Sequence, residues 1–237
     1  METANKFILD AMQHAPQLTR AWAEVRMGKF TGSQISALFT EPRTKAEKEA
    51  GELSQTARKY IGGKVMELAT GLPAEEVGGR AIDWGNDHEE DAIIMVANYL
   101  NAPMERVIFK PPFRLFNNYS GCSPDAFIWD SQTEEELGLE VKCPYNSFNH
   151  YLHAQVVDGA TLKEVNADYY WQCQMNMLTF NKTQWLFASY DPRQPEARRL
   201  HVARIMANPE DCGLMCQKME AAEALKQQWL AEWLAGK

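Results

Sequence analysis

The chain has 237 residues, of which 45% are hydrophobic and 24% are charged, a composition typical of a soluble globular protein. At this length folding buries roughly 70% of the surface of the unfolded chain, so no disulfide framework or structural metal is required. The number of cysteines, five, is odd, which argues against a disulfide framework. The apolar runs are too short to span a bilayer. The N-terminal residues lack the long apolar core of a signal peptide, so a cytoplasmic location without a membrane partner is expected.

The formal net charge is −8 and the pI is near 5.2. This balance argues against a polyanionic partner, because affinity for nucleic acid comes largely from cations that neutralise phosphates. A local basic surface can nevertheless exist on an acidic protein, and a group of carboxylates that binds cations would itself add negative charge. The charge therefore does not exclude nucleic acid.

The first hundred residues show helical periodicity interrupted by turn signals. Residues ~17 to ~40 predict a helix that breaks at Met27 to Ser33, where a second short helix begins. Residues 41–52 are highly charged and are expected to face solvent. A helix near 54–70 is expected to end at Gly71-Leu72-Pro73, and another from about Asn86 to Leu100 has an apolar stripe.

The middle of the chain contains short runs of β-branched and aromatic residues, which predict strands. These runs are Val107–Phe109, Cys122–Trp129, Leu137–Val141 and Trp185–Tyr190, with a helix near 167–180. Asn208-Pro209 followed by two acids predicts the start of a long helix that ends near Leu234.

The absence of repeats and of Gly/Ser linkers predicts a single domain over residues 1–237. Helices, then strands with an inserted helix, then a closing helix predict an α/β fold of mixed α+β type. In this interpretation N-terminal helices occupy residues 1–105, a catalytic sheet with its inserted helix occupies 106–205, and a C-terminal helix occupies 206–237.

The segment Gly138 to Lys142 places charged and apolar residues on opposite faces of a strand. Because side chains alternate, Leu139 and Val141 should enter a core, while Glu140 and Lys142 lie side by side on the other face. If the preceding strand pairs with this one, Asp125 can approach that face. An ordinary surface strand with a Glu–Lys pair worth about 0.5 kcal/mol is the alternative.

Two carboxylates and an amine on one sheet face suit metal-assisted phosphodiester hydrolysis. Mg²⁺ is commonly held by one or two carboxylates together with waters and phosphate oxygens. The ion polarises the phosphodiester and lowers the pKa of a bound water. A neighbouring lysine can orient that water and offset negative charge in the transition state.

Several motifs in register resemble the bacteriophage lambda exonuclease family of viral recombination alkaline exonucleases, within the PD-(D/E)xK nuclease superfamily. The resemblance runs from about Trp22 to Tyr190. The shared features are Arg26-x-Gly28-x-x-Thr31-x-Ser33, Pro42-Arg43, Trp84-Gly85 followed by Glu89, Cys122-Ser123-Pro124-Asp125, Leu139 to Pro144, Gln172-x-Gln174 and Tyr190 to Arg193.

The resemblance implies a restriction-endonuclease-like core, a small mixed central sheet flanked by helices, with a metal-dependent active site. The implied metal ligands are Asp125, Glu140, Glu89 and Val141, and the implied catalytic lysine is Lys142. Mg²⁺ is the implied cofactor, with two ions per active site and with Mn²⁺ as a substitute.

Two of the implied catalytic positions leave alternatives open. Glu89 shares a helical stripe with apolar residues, and Glu90 is its competitor. Gln174 matches a glutamine that orients the site, but its apolar neighbours also suit a satisfied buried amide. Gln172 falls on the other side of the same helix and is interpreted as structural or solvent-exposed.

The resemblance also implies DNA contacts. Arg26, Ser33 and Ser123 match a pocket for a 5′-terminal phosphate, for which a guanidinium fork and hydroxyl donors are suitable chemistry. Ser33 could equally be a helix N-cap. Arg43 matches an arginine that contacts the DNA groove, and Ile82 matches an apolar strand-separating wedge, with an ordinary core residue as its alternative.

The activity implied by the resemblance is 5′→3′ digestion of one strand from a 5′-phosphorylated double-stranded DNA end. Mononucleotides are released, and single-stranded DNA remains for recombination by a strand-annealing partner protein. The resemblance further implies a homotrimer, encoded by a phage or prophage in a bacterial host. The rivals are an endonuclease, a Cas4-like nuclease, for which the cysteines supply no iron–sulfur set, and a non-catalytic DNA-end binder.

Overall fold

The computed structural model describes residues 15–74 and 78–236, and contacts among them define two units. The first unit comprises residues 15–74, 112–122 and 208–236, and the second comprises residues 78–111 and 123–207. The C-terminal segment therefore belongs to the same unit as the N-terminal helices. The single domain over 1–237 stays a prediction.

The described helices are, in chain order, α1 (Arg20–Arg26), α2 (Lys45–Glu49), α3 (Gln55–Thr70), α4 (Arg80–Tyr99), α5 (Ser147–His153), α6 (Gly159–Val165), α7 (Ala167–Phe180) and α8 (Pro209–Leu234). Short 3₁₀ helices cover Gly32–Phe39, Met104–Arg106 and Glu196–Arg198. The described strands are β1 (Phe30–Thr31), β2 (Val107–Phe109), β3 (Arg114–Asn117), β4 (Ser120–Cys122), β5 (Ala126–Asp130), β6 (Glu135–Lys142), β7 (Gln184–Tyr190) and β8 (Leu200–Met206). None of the described helices is both long enough and apolar enough to cross a membrane.

The first unit contains a three-stranded sheet, in the order β1–β4–β3, and the packed helices α3 and α8. The turn after α1 is fixed by buried polar contacts, because Gly28 N–H donates to Glu67 Oε2 at 2.6 Å and Lys226 Nζ donates to the Gly28 carbonyl at 2.6 Å. Gly28 has φ +71°, and a Cβ there would lie 2.5 Å from a methyl carbon of Leu68. A side chain at this position is excluded both by the backbone conformation and by the lack of space.

The second unit contains a five-stranded mixed sheet in the order β2–β5–β6–β7–β8. Only the β6–β7 pair is parallel among the described strands of this sheet. Leu139 and Val141 of β6 pack with Ile93 and Val96 of α4 in the main apolar core, as the alternation predicted. Glu140 contacts Asn176 of α7 instead, so α4 and α7 cover opposite faces of β6.

The structure corrects several predicted boundaries. The segment from ~17 to ~40 is helical only over α1 and the 3₁₀ helix, with β1 between them. The single strand predicted over Cys122–Trp129 is two strands of different sheets, interrupted at Ser123-Pro124-Asp125, where proline lacks a ladder N–H. The helix predicted from about Asn86 begins at Arg80, and β3, β8, α5 and α6 were not predicted.

Candidate active site

Asp125 and Glu140 lie opposite each other beside the antiparallel β5–β6 pair. Ala126 is paired with Leu139 in the antiparallel register. The residues next to this pair, Asp125 and Glu140, therefore face each other across the two strands. Asp125 N–H donates to the Leu139 carbonyl at 3.3 Å, and Val141 N–H donates to Asp125 Oδ2 at 2.6 Å. The expectation that these strands pair and bring Asp125 to the Glu140 face is confirmed.

Both carboxylates occupy surroundings that disfavour their charged forms. Glu140 is 1% exposed. Burial, followed by the Glu140 and Glu89 carboxylates, raises the pKa of Asp125 well above its usual value. Burial also raises the pKa of Glu140, although Lys142 opposes the shift. Acidic groups in such surroundings are stabilised by a nearby positive charge.

Lys142 supplies one such charge. Its Nζ donates to Glu140 Oε1 at 2.6 Å and to Gln172 Oε1 at 3.3 Å, and it lies 4.7 Å from the centroid of the Tyr169 ring. Burial disfavours the ammonium form, but the carboxylates of Glu140 and Asp125 outweigh burial and raise the pKa of Lys142. The amine is therefore held as a cation beside the carboxylate pair.

One face of α7 contributes the remaining polar contacts. Asn176 Nδ2 donates to Glu140 Oε2 at 3.1 Å, and Gln172 accepts from Lys142. These residues share a face with Tyr169, at spacings of three and four residues. Sequence reasoning missed Asn176, although this i, i+3, i+7 polar pattern beside an expected site was a usable signal.

The structure corrects the placement of the two glutamines. Gln174, expected at the site, is fully buried, and its Nε2 donates to the Met206 carbonyl at 3.0 Å. Gln172, which was interpreted as structural or solvent-exposed, instead accepts a hydrogen bond from Lys142, the candidate catalytic lysine. The reason is helical phase, since residues two apart point about 200° away from each other.

Glu89 of α4 lines the same cleft as Lys142. Its Oε1 lies 3.3 Å from Lys110 Nζ, and its carboxylate contributes to the raised pKa of Asp125. Its competitor Glu90 is exposed and is not among the residues that line the cleft. The structure therefore places Glu89 near the site, while its role as a metal ligand stays a prediction.

A cleft of about 490 Å³ opens beside these residues. Val141, Lys142, Tyr145 and Glu89 contribute to its walls, together with Ile82 near the start of α4. Ile82 is 49% exposed, so the alternative that it is an ordinary core residue is wrong. Its position on a cleft wall is compatible with an apolar wedge, which stays a prediction.

The segment that follows β6 is fixed by an ion pair between the buried Asp191 and the partly exposed Arg193. Asp191 is fully buried and accepts hydrogen bonds from Arg193 Nε at 2.7 Å and from Ser147 Oγ at 2.7 Å. Burial opposes ionisation, but these hydrogen bonds lower the pKa of Asp191. Arg193 also donates to the Tyr145 carbonyl at 2.9 Å and lies 4.3 Å from the Trp84 ring centroid. This contact set holds the cleft wall in place.

The first unit contains two of the residues predicted to bind a terminal phosphate. Arg26 lies in the last turn of α1, with its guanidinium carbon 3.7 Å from the Trp22 ring centroid. Ser33 is exposed in the 3₁₀ helix Gly32–Phe39, whose N-cap residue is Thr31. The alternative that Ser33 is the N-cap is therefore wrong, and phosphate binding stays a prediction.

Arg43 and Ser123, the remaining residues predicted to contact DNA, belong to different units. Arg43 is exposed in the first unit and lines a separate cleft of about 380 Å³ with Glu47 and Arg58. Ser123 belongs to the second unit, where it is partly buried two residues before Asp125. The DNA-binding roles of both residues stay predictions.

The donor set between β5 and β6 is suitable for a hard divalent cation. Among residues 15–74 and 78–236, no three His, Cys, Asp or Glu side chains form a complete metal cluster. Mg²⁺ needs fewer protein ligands, because waters and substrate phosphates complete its octahedron. Glu140 offers two oxygens that are already oriented by Lys142 and Asn176, and Asn176 Oδ1 is buried without a partner among the described residues. The residues present therefore fit such an ion.

A sequence profile establishes the family of this chain. The profile of the YqaJ-like viral recombinase domain matches residues 21–184, which is more than half of the chain. The chain belongs to the YqaJ-like viral recombinase family. The matched region includes Asp125, Glu140 and Lys142, and membership in this family confirms the viral recombinase relationship expected from the sequence.

Solved structures share the fold of this chain. An alkaline exonuclease, LHK-Exo, from Laribacter hongkongensis aligns with a TM-score of 0.71 and 20% identity, over 92% of this chain and 96% of that chain. Its complex with dAMP aligns with a TM-score of 0.72 and 19% identity, over 92% and 98%. A phage-related exonuclease from Haemophilus somnus 129PT aligns with a TM-score of 0.68 and 21% identity, over 86% and 96%. These alignments confirm the expected mixed fold.

A comparison of this chain with curated protein sequences gave no match.

Proposed function

We propose that this chain is a Mg²⁺-dependent exodeoxyribonuclease that digests one strand of duplex DNA from an end. The observation that carries the proposal is the convergence of Asp125, Glu140 and Lys142 beside an open cleft. Holding two acidic groups near each other, one of them buried, lowers stability unless a cation offsets it, so such a pair commonly marks a functional site. The structural neighbours are exonucleases, which supports the same activity.

Asp125 and Glu140 would hold the metal through carboxylate oxygens, and Val141 could contribute only its main-chain carbonyl. Glu89 would complete the site directly or through water. When bound, a divalent cation supplies a Lewis acid and an activated water for phosphodiester hydrolysis. Two ions in each site and replacement of Mg²⁺ by Mn²⁺ belong to the same proposal.

The protein side chains orient these groups. Asn176 and Lys142 each occupy one oxygen of Glu140, so the carboxylate cannot rotate freely. Lys142, held as an ammonium, provides a charged donor where negative charge develops during attack on phosphorus. Gln172 in turn limits the positions that the lysine amine can adopt.

The finer activity that we propose is 5′→3′ digestion that starts at a 5′-phosphorylated end and releases mononucleotides. A terminal phosphate has more charge than an internal diester, so an arginine can distinguish the two through charge-assisted hydrogen bonds. Arg26 and Ser33 lie within the first unit, seven residues apart across the Gly28 turn. The neighbour crystallised with dAMP, a mononucleotide, supports release of this class of product.

The discriminating experiment compares linear 5′-phosphorylated duplex, linear 5′-hydroxyl duplex and covalently closed circular duplex, each with Mg²⁺ and with EDTA. We expect Mg²⁺-dependent loss of both linear DNAs, with the phosphorylated end degraded at least about 10-fold faster, corresponding to ~1.4 kcal/mol. Cleavage of the circle would indicate an endonuclease. Failure to degrade any of the three would indicate a DNA-end binder.

The end preference has a matched control within α1. Arg26→Ala should lose most of the preference for the phosphorylated end. Arg20→Ala should keep it, because the Arg20 side chain is 89% exposed and pairs with Glu24. Rates must be compared at the same ionic strength, since salt alone changes DNA affinity. Equal rates of wild type on both ends would remove the phosphate pocket and leave the generic nuclease.

A further inference from the structure

Three aromatic side chains are exposed on and next to α5. Phe148 is 59% exposed, Tyr151 is 61% exposed and Tyr145, just before the helix, is 47% exposed. Exposed aromatic groups of this size in one short segment commonly mark a binding surface. From this arrangement we propose that Phe148, Tyr151 and Tyr145 form a stacking site for unpaired nucleotide bases.

The rings are held in an arrangement that suits stacking. Phe148 and Tyr151 lie nearly parallel, with 20° between their planes and 5.9 Å between their centroids. The opposite face of α5 is anchored by His150 and His153, which are both buried and both hydrogen-bonded to Ser189 Oγ. A ring pair on an anchored helix loses little conformational entropy when a base stacks against it.

The aromatic segment borders the catalytic cleft at Tyr145, which makes a nucleic-acid strand the occupant that fits. Tyr145 and Asn149 line the cleft together with Lys142. Asn149 is exposed, and its side chain makes no hydrogen bond to any residue that the structure describes, so its amide is available to a base edge. This inference rests on the proposed function, because it assumes that the strand in the cleft is DNA.

The charge of the surrounding segment favours the same occupant. Residues 141–157 contain no Asp or Glu, although the whole chain has a net charge of −8. Its cationic side chain is Lys142, since His150 and His153 are buried on the opposite face of α5. An acid-free aromatic surface beside a lysine is the chemistry that binds single-stranded nucleic acid, whose bases present their π-faces. Bases inside a duplex are already stacked, so the site is specific for unpaired nucleotides.

The experiment measures base-dependent binding without catalysis. Fluorescence anisotropy in EDTA compares a labelled oligothymidylate of about 12 nucleotides with an abasic oligonucleotide of equal length and charge. Wild type should bind the oligothymidylate at least about 10-fold more tightly. Phe148→Ala combined with Tyr151→Ala should remove most of this preference while leaving affinity for the abasic strand unchanged.

Two variants serve as controls. Tyr99→Ala should keep the preference, because Tyr99 is 61% exposed like Tyr151 but lies at the end of α4, outside this surface. Phe148→Trp should also keep it, because the larger ring preserves stacking. The wild-type comparison of the two oligonucleotides remains decisive even if the double variant fails to fold.

Equal affinity of wild type for both oligonucleotides would overturn the inference, as would an unchanged preference in the folded double variant. A double variant with altered mass by light scattering and unaltered base preference would also overturn it, and would assign the surface to contacts between protein copies. Because EDTA prevents hydrolysis, base-dependent binding by a protein that degrades no DNA in Mg²⁺ would refute the proposed function and uphold this site.

Discussion

At the scale of a single residue, burial of the Glu140 carboxylate lowers the stability of the fold. A carboxylate that is 1% exposed loses nearly all of its hydration, and the contacts with Lys142 and Asn176 only partly offset that loss. An apolar residue in this strand position would pack at lower cost. The retention of a buried acidic group beside an open cleft is therefore better explained by chemistry than by stability.

Substitutions of the two glutamines of α7, Gln172 and Gln174, should affect different properties, one the rate of catalysis and the other the stability of the fold. Gln172→Ala should slow DNA degradation by at least about 10-fold, because it removes the acceptor that positions Lys142. Gln174→Ala should leave the rate within about threefold, yet lower the free energy of unfolding by ~1–3 kcal/mol by exposing the Met206 carbonyl to an unfilled space. Initial rates and thermal unfolding of both variants test this, and the reverse pattern would contradict the assignment.

Lys142→Ala tests whether the amine acts on the reaction rather than on metal binding. The variant should lose at least about 100-fold in rate, ~2.7 kcal/mol of transition-state stabilisation, while Mn²⁺ affinity measured by calorimetry is preserved or increased. Lys182→Ala is the control, since Lys182 is a partly exposed lysine of the same unit that pairs with Glu136. Loss of Mn²⁺ binding, or a rate within about 10-fold of wild type, would contradict this role for Lys142.

At the scale of elements, local signals predicted α3 and α8, whose N-terminal caps are formed by their own residues. α3 begins at Ser54, whose side chain accepts from Ala57 N–H, and ends at Gly71 in the left-handed region. α8 begins at Asn208, whose side chain accepts from Glu210 and Asp211 N–H groups. These contacts are local, so a sequence window contains them.

The strand β8 was missed because it depends on a distant partner, whereas α5 and α6 were missed although their N-terminal caps are local. β8 forms an edge of the five-stranded sheet, and its existence depends on pairing with β7 from Gln184 to Tyr190. At the active site the same limit applies. Asp125, Glu140 and Lys142 follow from strand alternation and the motif, whereas the contacts that Asn176 and Gln172 make depend on α7 lying over β6.

The Asp191–Arg193 contact is predicted to stabilise the segment between β6 and α5. Arg193→Ala should lower the free energy of unfolding by ~2–3 kcal/mol, because it leaves the buried Asp191 without its cation. Adding Asp191→Asn should restore part of that stability by removing the uncompensated charge. Urea unfolding of the single and double variants measures both effects, and a double variant less stable than the sum of its parts would contradict the ion-pair interpretation.

The Asp191–Arg193 ion pair should also make the free energy of unfolding depend on pH. The folded-state pKa of Asp191 is lowered, so its contribution is present above the unfolded-state pKa of about 4 and is lost as the pH falls through the folded-state value. Wild type should therefore lose more stability between pH 6 and acidic pH, on the order of pH 3, than Arg193→Ala does. Parallel acid dependences of the two proteins would contradict this account.

At the scale of the whole molecule, we propose a homotrimer, on the basis of family resemblance, and cooperation with a single-strand annealing protein. Cyclic closure allows a heterologous interface to form a ring, which could retain duplex DNA during repeated hydrolysis. Light scattering at micromolar concentration should give a mass three times the 27.0 kDa of one chain. A monomer under these conditions would contradict the trimer and weaken the expectation of processive digestion.

Glu140→Gln is the sharpest test of the proposal that Asp125 and Glu140 hold the metal of a DNA nuclease. Release of nucleotides from linear 5′-phosphorylated duplex in Mg²⁺ should fall below about 1% of the wild-type rate, a change of ~2.7 kcal/mol or more. Glu136→Gln is the matched control on the same strand, because the Glu136 side chain is 45% exposed and pairs with Lys182. We expect a folded, inactive Glu140→Gln and an active Glu136→Gln. Full activity in folded Glu140→Gln would exclude the proposed metal-binding role of Glu140.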